Sequence, residues 1–121
     1  MKTSELQLGD WISYLGDPVS VVSLNLNDDE PIGIISPLEN IFILREKNVY
    51  PIRLDESMFM QNNFNPEVIL WWRFSEDDPF KITIKNENTS LCMQVKYVHE
   101  LQHALRLCGL SELADKLIID I

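Results

Sequence analysis

The chain has 121 residues, 45% of them hydrophobic, and a formal charge of −9 from 19 acidic against 10 basic residues. That is enough apolar content for one sizeable core and too little length for two independent ones, so a single domain, 1–121, is expected. The acidic balance repels phosphate backbones and leaves no basic stripe, which argues against direct nucleic-acid binding.

Residues 1–7 carry a lysine but no continuous apolar segment behind it, and no run approaches the ~18 apolar residues of a membrane helix. The expectation is a cytoplasmic protein with no membrane contact. In that setting Cys92 and Cys108 read as reduced thiols, buried like small hydrophobes, rather than as a disulfide; a metal or redox pair is the alternative.

From Leu6 to Leu54 short apolar runs alternate with turn residues, predicting strands over 11–15, 19–26, 32–35, 41–45 and 49–54. The turns between them are Gly16-Asp17-Pro18, residues 27–31, residues 36–40 and Glu46-Lys47-Asn48, each rich in residues that fix φ, permit positive φ or bond their own backbone. Five short antiparallel strands at this spacing predict an SH3-like small barrel as a first lobe, 1–54. Pro51 places the last strand at an edge or a strand end.

The second lobe, 55–121, opens on a short helix that Asp55 caps, with Met58, Phe59 and Phe64 as its apolar contacts and Asn62, Asn63, Asn65 and Pro66 ending it. Three strands follow, over 68–74, 80–85 and 91–97, with polar connections at 75–79 and 86–90: a three-stranded antiparallel meander. Residues 97–109 form an amphipathic helix whose stripe, Tyr97, Leu101, Ala104, Leu105 and Cys108, covers the meander, while His99, His103 and Arg106 fall on the opposite side. Gly109 and Leu110 have the pattern of a Schellman stop, and Ser111 is placed to cap one more helical turn over 111–117. The apolar end, 118–121, is expected to dock on the body or add a strand. The fold class is α+β, mostly β.

Three stretches carry a resemblance: Leu8-Gly9-Asp10-Trp11-Ile12, Pro51-Ile52-Arg53-Leu54 leading to Asn63-Phe64, and Tyr97-Val98-His99-Glu100-Leu101-Gln102-His103. In this order they resemble a group of uncharacterised small proteins of Bacteroides-type gut bacteria and their phages or mobile elements, across nearly the whole chain. The resemblance implies a bacterial cytoplasmic or phage setting and no assigned chemistry. It also implies that the second histidine and the glutamate of the last stretch give way to other polar residues within the group.

Residues 99–103 read as His-Glu-x-x-His, in which two imidazoles one turn apart bind zinc and the glutamate activates its water. A third ligand is missing: position 106 is Arg and 109 is Gly where the extended pattern has Gly and His, leaving Glu112, Asp115 and Asp120 as carboxylate substitutes. Trp71-Trp72 is the second conspicuous feature, since adjacent strand residues point to opposite faces; both are expected in the core, with an interface anchor as the alternative. The acidic loops Asp28-Asp29-Glu30 and Glu76-Asp77-Asp78 read as solvated turns, or as mimicry of DNA charge aimed at a basic protein.

The expectation is therefore a non-enzymatic interaction or accessory module of a bacterial or phage system. It acts through a protein partner that the sequence leaves unknown, has no catalytic, cofactor-binding or metal residues, and forms a homodimer if the meander's second face needs cover. A zinc hydrolase using His99, Glu100 and His103, and an acidic mimic, are the rival readings.

Overall fold

Leu15 and Gly16 both sit at positive φ, 53° and 84°, the backbone of a mirror-image two-residue turn whose twist matches the strands it joins. They connect β1 (Trp11–Tyr14) to β2 (Asp17–Leu24), with Tyr14 opposite Asp17. The turn thus lies one residue earlier than the Gly16-Asp17-Pro18 signal suggests. Pro18 is the second residue of β2, ahead of the stretch that pairs with β3 from Ser20 on, a position that tolerates its missing N–H.

The computed structural model describes residues 1–119, and the chain divides into two compact units, Met1–Ile52 and Arg53 onward. In the first unit β3 (Ile32–Ile35), β4 (Ile41–Leu44) and β5 (Tyr50–Pro51) join β1 and β2 in one antiparallel sheet of order β4-β3-β2-β1-β5. Its edges, β4 and β5, do not close into a barrel. The core is what period-two alternation dictates: Ile12, Val19, Val21, Ile32, Ile34, Leu44 and Val49 are buried on one side, with Leu6. A bulge between Val21 and Ser23 bends β2, and Gly33 lies opposite it, where a Cβ would come 2.0 Å from Ser23 Oγ.

The strand expected over 49–54 shrinks to Tyr50 and Pro51 because Pro51 has no N–H to extend the ladder beside β1. Glu46–Asn48 form a 3₁₀ turn before it. The Thr3 N–H donates to the Glu46 carboxylate, and the N-terminal ammonium donates to the carbonyls of Glu46 and Val49 at 3.0 and 3.2 Å.

In the second unit α1 (Glu56–Asn62) starts as expected: the Met58 N–H donates to Asp55 Oδ1 at 3.0 Å, and Asn63 ends the helix at a φ of 47°. β6 (Ile69–Trp72), β7 (Phe80–Asn86) and β8 (Thr89–Val95) form the meander in the order β6-β7-β8. The connection read as 86–90 narrows to Glu87-Asn88, because Asn86 pairs with Thr89 and Glu87 takes the positive φ the tight turn needs. Ile69, Phe80, Ile82, Ile84 and Val95 are buried, as are Leu101, Ala104, Leu105 and Cys108 of α2 (Val98–Leu107). Helix and sheet share one core through α2 packed on β8.

The stop of α2 is the Schellman motif the sequence suggests: the Leu110 N–H donates to the Leu105 carbonyl at 2.9 Å, the Gly109 N–H to the Arg106 carbonyl at 3.1 Å, and Gly109 has a φ of 77°. Asn86 adds a 2.7 Å bond from its amide to the Cys108 carbonyl. In α3 (Ser111–Asp115) Leu110, not Ser111, holds the cap position, and no side chain caps it. The apolar end docks rather than forming a strand as far as Ile119, with the Ile118 N–H donating to Asn62 Oδ1 at 2.7 Å and the Asn62 amide returning a bond to the Ile118 carbonyl at 3.1 Å. Asp120 and Ile121 lie outside the described residues.

Candidate functional site

Glu100 decides the zinc reading. Its Oε1 accepts the N–H groups of Lys96 at 2.9 Å and Tyr97 at 3.0 Å, satisfying donors that the first turn of α2 leaves open. A carboxylate turned back to cap its own helix is not aimed at a metal-bound water between the two imidazoles. Those rings are close, at 5.6 Å between centroids and nearly perpendicular, but the carboxylates proposed as third ligand are committed elsewhere or lie apart. Asp115 pairs with Arg106 at 3.6 Å, and Glu112 is exposed on α3. Among the described residues no group of three His, Cys, Asp or Glu side chains is placed to hold a metal; Asp120 falls outside them.

One expectation about this helix is overturned. His99, placed by the helical wheel on the solvent side, is only 6% exposed, and its ring stacks on Tyr97 at 5.8 Å and 12°. The buried residues of α2 span an arc of about 220°, much wider than a single stripe. Tyr97 covers the His99 ring, and α2 has a second neighbour besides the meander. Buried Gln102 donates to the Ala114 carbonyl at 3.1 Å, and Arg106 reaches Asp115, so α3 takes the flank that the sequence alone leaves to water.

Trp71 and Trp72 part company across the sheet, as strand geometry requires. Trp71 faces inward, stacked on Phe59 at 4.8 Å and 17° and edge-on to Phe80 at 6.1 Å. Trp72 is 46% exposed, so the expectation that both lie in the core fails for it. It shares the outer face of β6 with Leu70, and just past the strand end Phe74 is 80% exposed with its ring 4.8 Å from that of Trp72. Opposite Trp72 stands Lys81, whose Nζ lies 4.8 Å from the Trp72 ring and 5.3 Å from that of Phe74. The ammonium rests on both π faces.

Next to this cluster is a depression of about 310 Å³ whose lining includes Trp72, Lys81, Thr83, Cys92 and Gln94. Cys92 is exposed there, beside Thr83 Oγ1 at 3.5 Å, which corrects the expectation of a buried thiol. Cys108 is buried, and burial pushes its thiol pKa up. Arg73 lies over the Phe80 ring at 4.3 Å, pairs with Glu56 at 3.7 Å and donates to the Glu76 carbonyl at 3.1 Å. Arg73 thereby anchors the acidic 76–78 loop beside the exposed aromatics.

A different space, between α1, α2 and Ile119, is lined by Leu54, Met58, Phe59 and Leu101 and offers about 10 Å³, room for no more than one water molecule. The outer aromatic face was legible as one branch of the Trp71-Trp72 alternation. Phe74 and Lys81 were missed, because a strand pattern does not say which face a helix will cover. No helix among the described residues is long and apolar enough to cross a membrane. No family model, curated protein or solved structure matches the chain.

Proposed function

We propose that the protein is a non-enzymatic interaction module that grips a protein partner with the outer face of its meander. The observation that carries this reading is the exposure of Leu70, Trp72 and Phe74 on one face, with Lys81 lying on the two aromatic rings. Large aromatics left in water at a sheet face, with a rim of charge, are what a binding hot spot requires. The acidic 76–78 loop beside them suits a partner with an apolar ridge and a basic flank. The SH3-like reading of the first unit is supported by the return of β5 beside β1 and by the bend in β2. The resemblance to small proteins of Bacteroides-type bacteria and their mobile elements supports a bacterial or phage setting, and with it the cytoplasm.

The test uses the thiols. Cys92 is exposed and Cys108 buried, so an environment-sensitive dye labels Cys92 selectively. Host fractions are then titrated at low and high salt. Binding that changes the dye signal, survives high salt and is lost in Trp72→Ala/Phe74→Ala but not in Leu107→Ala supports the reading. Capture that disappears at high salt and ignores the aromatic variants would instead fit the acidic mimic.

A further inference from the structure

We propose that β4 is a self-pairing edge, and that two copies of this chain join their five-stranded sheets through it across a twofold axis. This goes beyond the proposed grip of the meander face and uses a different unit. β4 carries Ile41, Phe42 and Ile43, which are 67, 43 and 53% exposed, with no charge inside the strand. An open edge of this kind is normally blunted by lysine, proline or a short length. The opposite edge of the same sheet is blunted in that way, being two residues long and containing Pro51.

The hydrogen-bond alternation of the β3–β4 pair fixes which groups point outward. The Ser36 N–H donates to the Asn40 carbonyl at 2.9 Å, so Ser36 and Asn40 form a bonded pair. The next pair, Ile35 with Ile41, is then non-bonded, Ile34 with Phe42 bonded, and Gly33 with Ile43 non-bonded. The N–H and C=O groups of Ile41 and Ile43 therefore face away from β3. A second β4 running antiparallel, with the axis passing between the two Phe42 residues, sets Ile41 of each copy against Ile43 of the other. All four outward N–H groups then find a carbonyl.

The same register settles the side chains. Phe42 meets its own copy on the face that carries buried Leu44, and Ile41 and Ile43 meet on the other, so the three central cross-strand pairs are apolar on apolar. Beyond the Leu44 and Asn40 pair, Arg45 of each copy comes to the end of the other's β4 where the turn carries Glu39 at a φ of 62°, both residues being exposed. The edge is thus complementary to itself in backbone, shape and charge, as an isologous twofold contact must be. A foreign strand would have to reproduce that Glu-to-Arg spacing.

Sedimentation from low micromolar to millimolar concentration tests this on the whole chain. The expected result is a monomer–dimer equilibrium whose dissociation constant rises at least about tenfold in Ile43→Lys, because lysine on an edge strand opposes pairing. Arg45→Glu and Glu39→Arg should each weaken the dimer, and Arg45→Glu/Glu39→Arg together should restore it. Circular dichroism checks that Ile43→Lys keeps its strands; should it unfold, the charge swaps, which leave the core untouched, decide alone. A monomer at every concentration overturns the proposal. So does a dimer indifferent to Ile43→Lys, one not rescued by the double swap, or one broken instead by Trp72→Ala.

Discussion

The two units solve the same problem differently. Residues 1–52 bury one side of a five-stranded sheet in a cluster that includes Leu6 of the N-terminal segment and Val49, and the unit itself contains no α-helix. The second unit has only three strands and buries their inner face under α1 and α2. A bent sheet needs alternating β-branched residues and a bulge, whereas a short meander needs a helix with a wide apolar arc. What each leaves bare differs accordingly: the first exposes a strand edge, the second a sheet face. Edges bind through backbone and faces through side chains, so the two units offer two kinds of contact.

The largest effect that can break this comparison lies under α2. Leu105 is fully buried, and Leu105→Ala should cost about 2–5 kcal/mol in chemical denaturation. A loss below about 1 kcal/mol would mean that the helix does not hold the meander's core. The chain should also melt in one transition, since buried Ile52 and Leu54 follow each other with no flexible linker between the units. Two separable transitions would make the units independent.

Next in size is the contrast within α2 itself. His99→Ala, removing a buried ring stacked on Tyr97, should cost about 1–3 kcal/mol, and half-buried His103→Ala less than about 1 kcal/mol. Adding a chelator should change neither value, because Glu100 caps the helix; stoichiometric zinc lost on His103→Ala would defeat that assignment. On the outer face, Trp72→Ala should cost no more than about 1 kcal/mol, the range of a cation–π contact at an exposed site. A cost equal to that of Leu105→Ala would make the face a core and remove the case for a binding surface.

The smallest effect concerns the N-terminal segment. Hydrogen bonds from Thr3 hold the Glu46 carboxyl below its ordinary value of 4.5. A lowered folded pKa contributes stability that is present above 4.5 and fades as the pH falls through that value toward the folded one. Acid titration followed by NMR should show the Thr3 amide losing its shift with Glu46, and Glu46→Gln should flatten that dependence. An unchanged Thr3 titration in Glu46→Gln would remove the assignment.

Much of this was written locally. Asp55 caps α1 because an extended carboxylate can take the Met58 N–H, Gly109 ends α2 because only glycine takes that φ without cost, and Pro51 confines β5 to an edge. Alternation in 1–52 marked the core because period two is a property of any strand. Such features depend on a residue and its near neighbours, so composition and spacing reveal them. The tertiary structure decided the rest. His99 is buried because the covered arc of α2 runs well beyond its apolar stripe, and no wheel shows how far the neighbouring elements reach. Trp72 and Cys92 face water because the helices cover the opposite face of the meander, and period two labels two faces without saying which is inside. Whether β4 is an edge depends on the order of strands, which is a long-range pairing that no local pattern encodes.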